Sequence, residues 1–317
     1  MPLFISENDV QRLITMSDAI GALESAFSAL SSGDGTATQS RQRFFLPHGV
    51  MHHMAAALPG KGYMGTKTYT SFGREVRFYV LLFSSESGEL LALIEGNKLG
   101  QVRTGAATGV AARYLARKDS HFAALLGSGY QAQAQAEAIL LACPNLREVF
   151  VYSRDFVRRE RFCQQMTRRA NVRFTPRTSA EEAVRGTQVV LCATTATDPI
   201  LMADWLTEGH FVAAVGANRL TAREIEEQVV GRADIVVVDD MAQARAEAAE
   251  LIFAYEKRLF SWDQAYPLSA IAARREKGRT DLDQITLFKS LGIALEDIAV
   301  AALVYEKAKA EGSGTDF

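Results

Sequence analysis

Between residues 118 and 288 the chain repeats one arrangement: a short run that is apolar at nearly every position, then a helical segment. The runs are His121-Phe-Ala-Ala-Leu-Leu-Gly, Glu148-Val-Phe-Val-Tyr-Ser, Val172-Arg-Phe-Thr, Val189-Val-Leu-Cys-Ala-Thr, Phe211-Val-Ala-Ala-Val-Gly and Asp234-Ile-Val-Val-Val-Asp. A strand that is apolar on both faces needs a parallel sheet with helices packed on each side. The segments between fit that requirement. Residues 131–141 are Ala-rich, a basic helix runs to about Arg169, and Ser179 caps Ala180-Glu-Glu-Ala-Val.

The turn after the first run is Gly127-Ser128-Gly129, followed by Tyr130 and Gln131 at the start of a helix. Glycines there allow a tight turn and close backbone approach, and a helix N-terminus offers unbonded N–H groups to a pyrophosphate. A Gly-x-Gly alone is a weak signal, but between the first strand and first helix of an α/β unit it predicts dinucleotide binding. The fold class is therefore α/β, with a Rossmann-type doubly wound nucleotide-binding domain at 118–288. The second run ends in Ser153-Arg154, with Arg158 and Arg159 one turn later. A site selective for NAD carries an acid at that tip, whereas a guanidinium suits a 2′-phosphate. NADPH is thus the expected cofactor, with NADH possible.

The first third is organised differently. Ser6 opens one helix and a second runs from Ser17-Asp18 to Ala29. Short β-rich runs follow from Arg41, among them Tyr63-Met-Gly-Thr-Lys-Thr-Tyr-Thr-Ser-Phe and Arg77-Phe-Tyr-Val-Leu-Leu-Phe. Ser87-Gly88 turns the latter into Glu89-Leu-Leu-Ala-Leu-Ile as a hairpin. This reads as an α+β domain, 1–117, completed by 289–317, whose amphipathic helix from Leu295 to about Ala308 packs back onto it. The final Glu311-Gly-Ser-Gly-Thr-Asp reads as frayed.

Lys and Arg total 35 against 37 Asp and Glu, a net charge of −2, which gives no electrostatic basis for binding nucleic acid or an anionic membrane. Cys143, Cys163 and Cys192 form no close pair and read as buried thiols in a reducing compartment. The first residues lack a basic start with an apolar stretch, and no window of about 18 residues is free of charge, so the expectation is a cytoplasmic protein. His52 and His53 point to opposite sides of a strand, so no metal is expected there or at His48. His121 and His210 are given no catalytic role. Arg74 and Arg77 read as a solvated strand edge.

Arg43, Lys67 and Arg103 are the remaining cations of interest. Gly65, Lys67 and Tyr69 alternate onto one face of a strand, so Lys67 points either into a cleft or into water. Small residues beside Lys67 and Arg103 leave room for a ligand.

Several stretches, in order along nearly the whole chain, resemble the ornithine cyclodeaminase/mu-crystallin family. They are Met64-Gly-Thr-Lys-Thr, Val102-Arg-Thr-Gly-Ala-Ala-Thr, Leu126-Gly-Ser-Gly-Tyr-Gln-Ala, Asp204-Trp-Leu-Thr-Glu-Gly-His, Val215-Gly-Ala-Asn-Arg-Leu-Thr-Ala-Arg-Glu-Ile and Ile285-Thr-Leu-Phe-Lys-Ser-Leu-Gly. The resemblance implies a homodimer paired through the substrate-binding domain, with the active site in the cleft beside the nucleotide domain. It implies that Arg43 and Arg103 hold a substrate carboxylate and that Lys67 lies by the reacting carbon. A desolvated lysine beside arginines can exchange a proton at the substrate nitrogen. It further implies that Thr104 starts a helix facing phosphate, that Thr194 and Thr195 lie beside the cofactor, and that Lys289, Ser290 and Gly292 lie near the nicotinamide.

Two departures refine the expectation. Cyclodeaminases of the family carry an aspartate after the glycine pair where this chain has Gly216-Ala217-Asn218, and an acid where it has Met54. Both changes remove the negative charge a diamine requires, since a neutral amide is neither base nor counter-ion. The resemblance therefore points to NAD(P)H-dependent reduction of a small, cyclic 2-imino acid bearing a carboxylate. Ornithine or lysine cyclodeamination, alanine-type dehydrogenation, and non-enzymatic binding of NADPH and a small acid are the alternatives.

Overall fold

The computed structural model describes residues 1–73 and 75–317; the expectation for Arg74 lies outside the described residues. The chain forms two compact units, Met1–Ala106 with Gly292–Phe317, and Ala107–Leu291. The first division falls inside a helix rather than at residue 117, because that helix continues unbroken to Leu115.

The first unit contains β1 (Leu3–Ile5), α1 (Glu7–Leu13), α2 (Met16–Ser32), β2 (Ala37–Thr38), β3 (Gln42–Leu46), β4 (Gly49–Leu58), β5 (Tyr63–Phe72), β6 (Glu75–Ser84) and β7 (Leu90–Glu95). Helix α3 (Asn97–Leu115) follows. Ser6 caps α1 through a reciprocal bond with Asp9, and Thr15, one turn before Asp18, caps α2. The second unit runs through β8 (Phe122–Leu126), α4 (Tyr130–Ala142), β9 (Glu148–Tyr152), α5 (Phe156–Ala170), β10 (Arg173–Pro176), α6 (Ala180–Val184), β11 (Val189–Cys192) and β12 (Phe211–Ala214). It continues with α7 (Glu227–Gly231), β13 (Ile235–Val238), α8 (Met241–Glu247), α9 (Ala249–Glu256), β14 (Ala265–Pro267), α10 (Leu268–Ala272) and β15 (Thr286–Lys289). Helix α11 (Ala294–Glu311) and β16 (Thr315–Asp316) then return the chain to the first unit.

The second unit's sheet has the order β10-β9-β8-β11-β12-β15-β13-β14, with its pairs parallel. It is the Rossmann-type sheet expected, extended by β14 and β15, which were too short or too polar at their edges to stand out in the sequence. The order reverses between β8 and β11, the switch point where such sheets bind ligands at their carboxyl ends.

The first unit's sheet has the order β16-β1-β7-β6-β5-β4-β2, with β3 also on β4. The tail expected to fray instead pairs through β16 with β1. Helix α11 is buried all round from Ala294 to Ala302, and only from there on shows the amphipathic pattern expected, with Val304 and Ala308 buried and Glu306 and Lys309 exposed. It packs against β4, β5, β6 and α2. Strand register sets what it covers. Arg43, His52, Tyr69 and Phe78 form one cross-strand row, and Met54, Lys67 and Val80 the next, on the same face. Gly65 lies further along that face, where a Cβ would collide with Leu81 O and come within 2.8 Å of Ile298 Cδ1. The opposite face exposes Phe44, Leu46, Met51, Phe72 and Tyr79. Among the described residues no single helix is long and apolar enough to cross a membrane.

The Gly65 contact makes a test of α11 docking. Gly65→Val forces overpacking of the kind that costs about 1–3 kcal/mol, so thermal unfolding should shift down by several degrees. An unchanged melting temperature would show that α11 is not held against β5 at this point.

Candidate active site

Lys67 is only 1% exposed, in the middle of β5 and under α11. A buried ammonium needs a counter-ion. Its Nζ donates to Asp297 Oδ1 at 2.7 Å. The same oxygen lies 3.1 Å from Arg103 Nε, a contact between charges without hydrogen-bond alignment. Arg103 Nη1 donates to Glu296 Oε2 at 2.7 Å. Arg41 Nη2 donates to Gly292 O at 2.9 Å. Gly292 has φ +75°, and a Cβ on it would collide with the Arg103 guanidinium. Gly292 is therefore required for the packing of Arg103, a role independent of any cofactor.

Burial pushes the Lys67 ammonium down to about 8; Asp297 opposes the shift, while Arg103 and Arg41 add to it. Burial also works against the Arg103 charge, but Asp297 and Glu296 outweigh it and raise its pKa. His52 stacks on Tyr69 with centroids 4.1 Å apart and planes 3° from parallel. Burial, then Arg43 and Arg41, hold its imidazole down to about 4, so it is neutral at ordinary pH. Lys67 Nζ lies 5.1 Å from the Phe78 ring centroid and 5.7 Å from that of Tyr69. The result is a buried proton donor beside guanidiniums and aromatic rings.

Sequence reasoning placed Lys67, Arg43 and Arg103 in one group, and strand register brings Arg43 onto the Lys67 face. It missed Arg41, His52, Glu296 and Asp297. The visible signal for the acids was their position, two adjacent carboxylates inside the apolar stretch Leu291 to Ala302. Thr104 is a correction. It lies in the interior of α3 and donates its hydroxyl to Gly100 O at 2.8 Å, so it starts no helix.

The second unit presents a separate cradle. Gly127 has φ +123°, donates its N–H to Tyr152 O at 2.8 Å, and passes so close to β11 that a Cβ would collide with Ala193 O. Gly129 is the N-cap of α4 with no side-chain cap, and a Cβ there would meet nothing within 4 Å. A cavity of about 400 Å³ is lined by this turn, by Ser153, Arg154 and Arg158, and by Thr194 and Thr195. Ser128 and Ser153 hydroxyls bond at 2.8 Å across its floor. These residues fit a dinucleotide: an open helix N-terminus for phosphate and exposed guanidiniums beside it. Of the two acids lining the cavity, Asp155 and Asp198, the former uses Oδ1 to cap α5 through Arg158 N at 2.9 Å. Arg159 is instead buried, donating to Ser153 O.

Other predicted cofactor contacts differ in exposure, with Lys289 and Ser290 buried and Tyr130 and Gly216 exposed. Lys289 is fully buried, with Nζ donating to Ala217 O at 2.6 Å and 3.2 Å from Glu250 Oε1. The Ser290 hydroxyl donates to Asp239 at 3.3 Å. Gly216 N donates to Glu224, and Tyr130 and Gln131 open α4. Asn218 lies in the half-buried loop after β12.

A family model described as the ornithine cyclodeaminase/mu-crystallin family matches residues 2–312. The chain is 32% identical to a Delta(1)-pyrroline-2-carboxylate reductase of Bacillus cereus, covering 98% of each chain. Among solved structures it is similar to Delta(1)-pyrroline-2-carboxylate reductase of Thermococcus litoralis in complex with NADH and L-proline. That match has a TM-score of 0.94 and 31% identity over 99% of this chain and 100% of the other. An archaeal alanine dehydrogenase dimer with bound NAD matches with a TM-score of 0.92 and 30% identity over 100% and 98%.

The shared carboxylate generates a stability test. Asp297→Ala leaves two buried cations without their common counter-ion and should cost about 3–5 kcal/mol at pH 7, read by denaturant unfolding. Folded Lys67 titrates near 8, below its unfolded value of 10.5, so between those values the unfolded state binds more protons and stability rises with pH. Part of the loss should therefore return at alkaline pH. A variant as stable as the parent at pH 7 would remove Asp297 from this role.

Proposed function

The chain belongs to the ornithine cyclodeaminase/mu-crystallin family, and we propose that it reduces the C=N bond of a small 2-imino acid with a nicotinamide cofactor. A cyclic ketimine such as pyrroline- or piperideine-2-carboxylate is the foremost substrate. The observation that carries this is Lys67, a buried lysine held by Asp297, near the Arg103 and Arg41 guanidiniums and poised to exchange a proton near neutral pH. The bound cofactor supplies a hydride to the imine carbon. Arg43 and Arg103 hold the substrate carboxylate; Glu296 and Asp297 orient Arg103 through Nη1 and Nε, leaving Nη2 for the substrate. Lys67, or a water it orients, delivers the proton to the substrate nitrogen. Neutral Asn218 and buried, apolar Met54 leave a diamine without a counter-charge, which favours reduction over cyclodeamination.

NADPH is the proposed form of the cofactor, supported by exposed Arg154 and Arg158 at the cavity rim. A homodimer is part of the same reading, supported by the apolar face of the first sheet that carries Phe44, Met51 and Phe72.

Absorbance of NADPH or NADH with each of the two ketimines tests the proposal. NADPH should be oxidised rapidly and NADH about tenfold more slowly or worse, the worth of one charge-assisted bond to a 2′-phosphate. Arg154→Ala should narrow that gap. No oxidation of either cofactor by protein shown to bind it would overturn the reductase reading.

The pH profile tests Lys67. Protonated Lys67 is the active form for reduction, so the rate should fall as pH rises through about 8. Lys67→Gln should lose about a hundredfold to ten-thousandfold in kcat and flatten that limb. An unaltered profile in the variant would assign the proton to another group.

A further inference from the structure

Glu224 lies between β12 and α7 and is fully buried. A carboxylate withdrawn from water is strongly disfavoured unless donors replace the water. Here three converge on it. Oε1 accepts from Thr194 N at 2.6 Å and from Thr194 Oγ1 at 2.8 Å, while Oε2 accepts from Gly216 N. Thr194 follows the end of β11 by two residues, and Gly216 follows β12 likewise. One side chain thus ties the carboxyl ends of two neighbouring parallel strands. A Cβ at Gly216 would collide with Thr194 O, so the two loops come this close only because position 216 is a glycine. The backbone of Glu224 is held in turn, its N donating to Glu250 Oε1 at 3.2 Å, and Glu250 pairs with Lys289 on β15.

The donor set requires a carboxylate. An amide has one accepting oxygen, and its NH2 would face a backbone N–H on the other side. Location gives the bond set a use. The Gly127-Ser128-Gly129 turn and the Ser153-Arg154 tip occupy the β8–β9 half of the sheet, the half that takes the adenosine end of a dinucleotide. Across the switch point, β11 and β12 belong to the half that takes the nicotinamide end, and Thr194 at the end of β11 lines the same cavity as the glycine turn and the Ser153-Arg154 tip.

We propose that Glu224 is a positioning residue for the nicotinamide half of the cofactor, acting through the Thr194 and Gly216 backbones. This rests on the nicotinamide reading above. Calorimetry on Glu224→Gln tests it, with NADPH and with 2′-phospho-ADP-ribose, which ends before the nicotinamide. NADPH affinity should fall about tenfold or more, while the fragment should bind within about twofold of the parent. Equal losses for both would make Glu224 a general structural support, and no loss for either would leave it without the role; both overturn the proposal. If the variant fails to fold, Thr194→Val removes the hydroxyl donor and keeps the carboxylate. It should weaken NADPH selectively by a smaller factor, and an unchanged or non-selective result overturns the proposal equally. A parent protein that binds neither NADPH nor NADH would instead overturn the nicotinamide reading.

Discussion

Within the first unit the shared carboxylate of Asp297 is the interaction on which the rest depends. Two cations, Lys67 and Arg103, are withdrawn from water, and a buried charge without a partner is among the costliest arrangements a protein can hold. Asp297 lies 2.7 Å from one and 3.1 Å from the other. That geometry is reached only if the last helix runs directly over β5. Gly65 gives Ile298 room to approach the sheet, Gly292 turns the chain beside the Arg103 guanidinium, and the apolar flanks of α11 exclude water from the cluster. The placement of the helix and the electrostatics of the site are thus one constraint. A helical stretch buried on every side, as α11 is from Ala294 to Ala302, is ordinarily apolar throughout. The two acids in this one are explained by the cations beneath them.

The chemistry follows from the imbalance inside that cluster. Burial pulls the Lys67 pKa down and the neighbouring guanidiniums push the same way, while Asp297 opposes them, and the balance lies at about 8. A lysine left in water would hold its proton too tightly to give it up at neutral pH, and one buried without Asp297 would lose it too early. His52 shows the same field acting on a group with no carboxylate beside it in the bond set: its imidazole is driven to the neutral form and serves as a flat partner for Tyr69.

How much of this was legible in the sequence depended on the range of the interaction. Runs such as Val189-Val-Leu-Cys and Phe211-Val-Ala-Ala announced a doubly covered parallel sheet, because burial on both faces is a local property of the run. The Gly-Ser-Gly turn and Lys67 were legible for similar reasons, the first through backbone freedom and the second through strand alternation. The pairing of Asp297 with Lys67 spans 230 positions, and nothing local to either residue reports it. Thr104 was misplaced because α3 begins at Asn97, one turn and more before the motif that drew attention to it. The tail after Glu311 looked frayed from its glycines, yet β16 finds a partner in β1 at the other end of the chain. Lys289 and Arg159, which looked available to a ligand, are turned inward because acceptors inside the second unit claim their donors.

Both units use one device at the positions that matter. In each, a buried carboxylate meets groups from two separate elements: Asp297 Oδ1 accepts from Lys67 on β5 and lies against the charge of Arg103 on α3, while Glu224 accepts from the ends of β11 and β12. Hydrophobic packing is tolerant of small displacements, since a methyl group shifted slightly still touches its neighbours. A buried carboxylate held by donors is not tolerant, because moving a partner leaves a buried polar group unpaired. Such groups add little net stability over a well-packed apolar core. Their effect is to narrow the range of positions that the attached backbones and side chains can occupy. Proton transfer and hydride transfer both demand alignment to within fractions of an ångström. A polar bridge therefore suits the roles proposed for Lys67 and for the ends of β11 and β12, while the remaining core of each unit is left to aliphatic side chains.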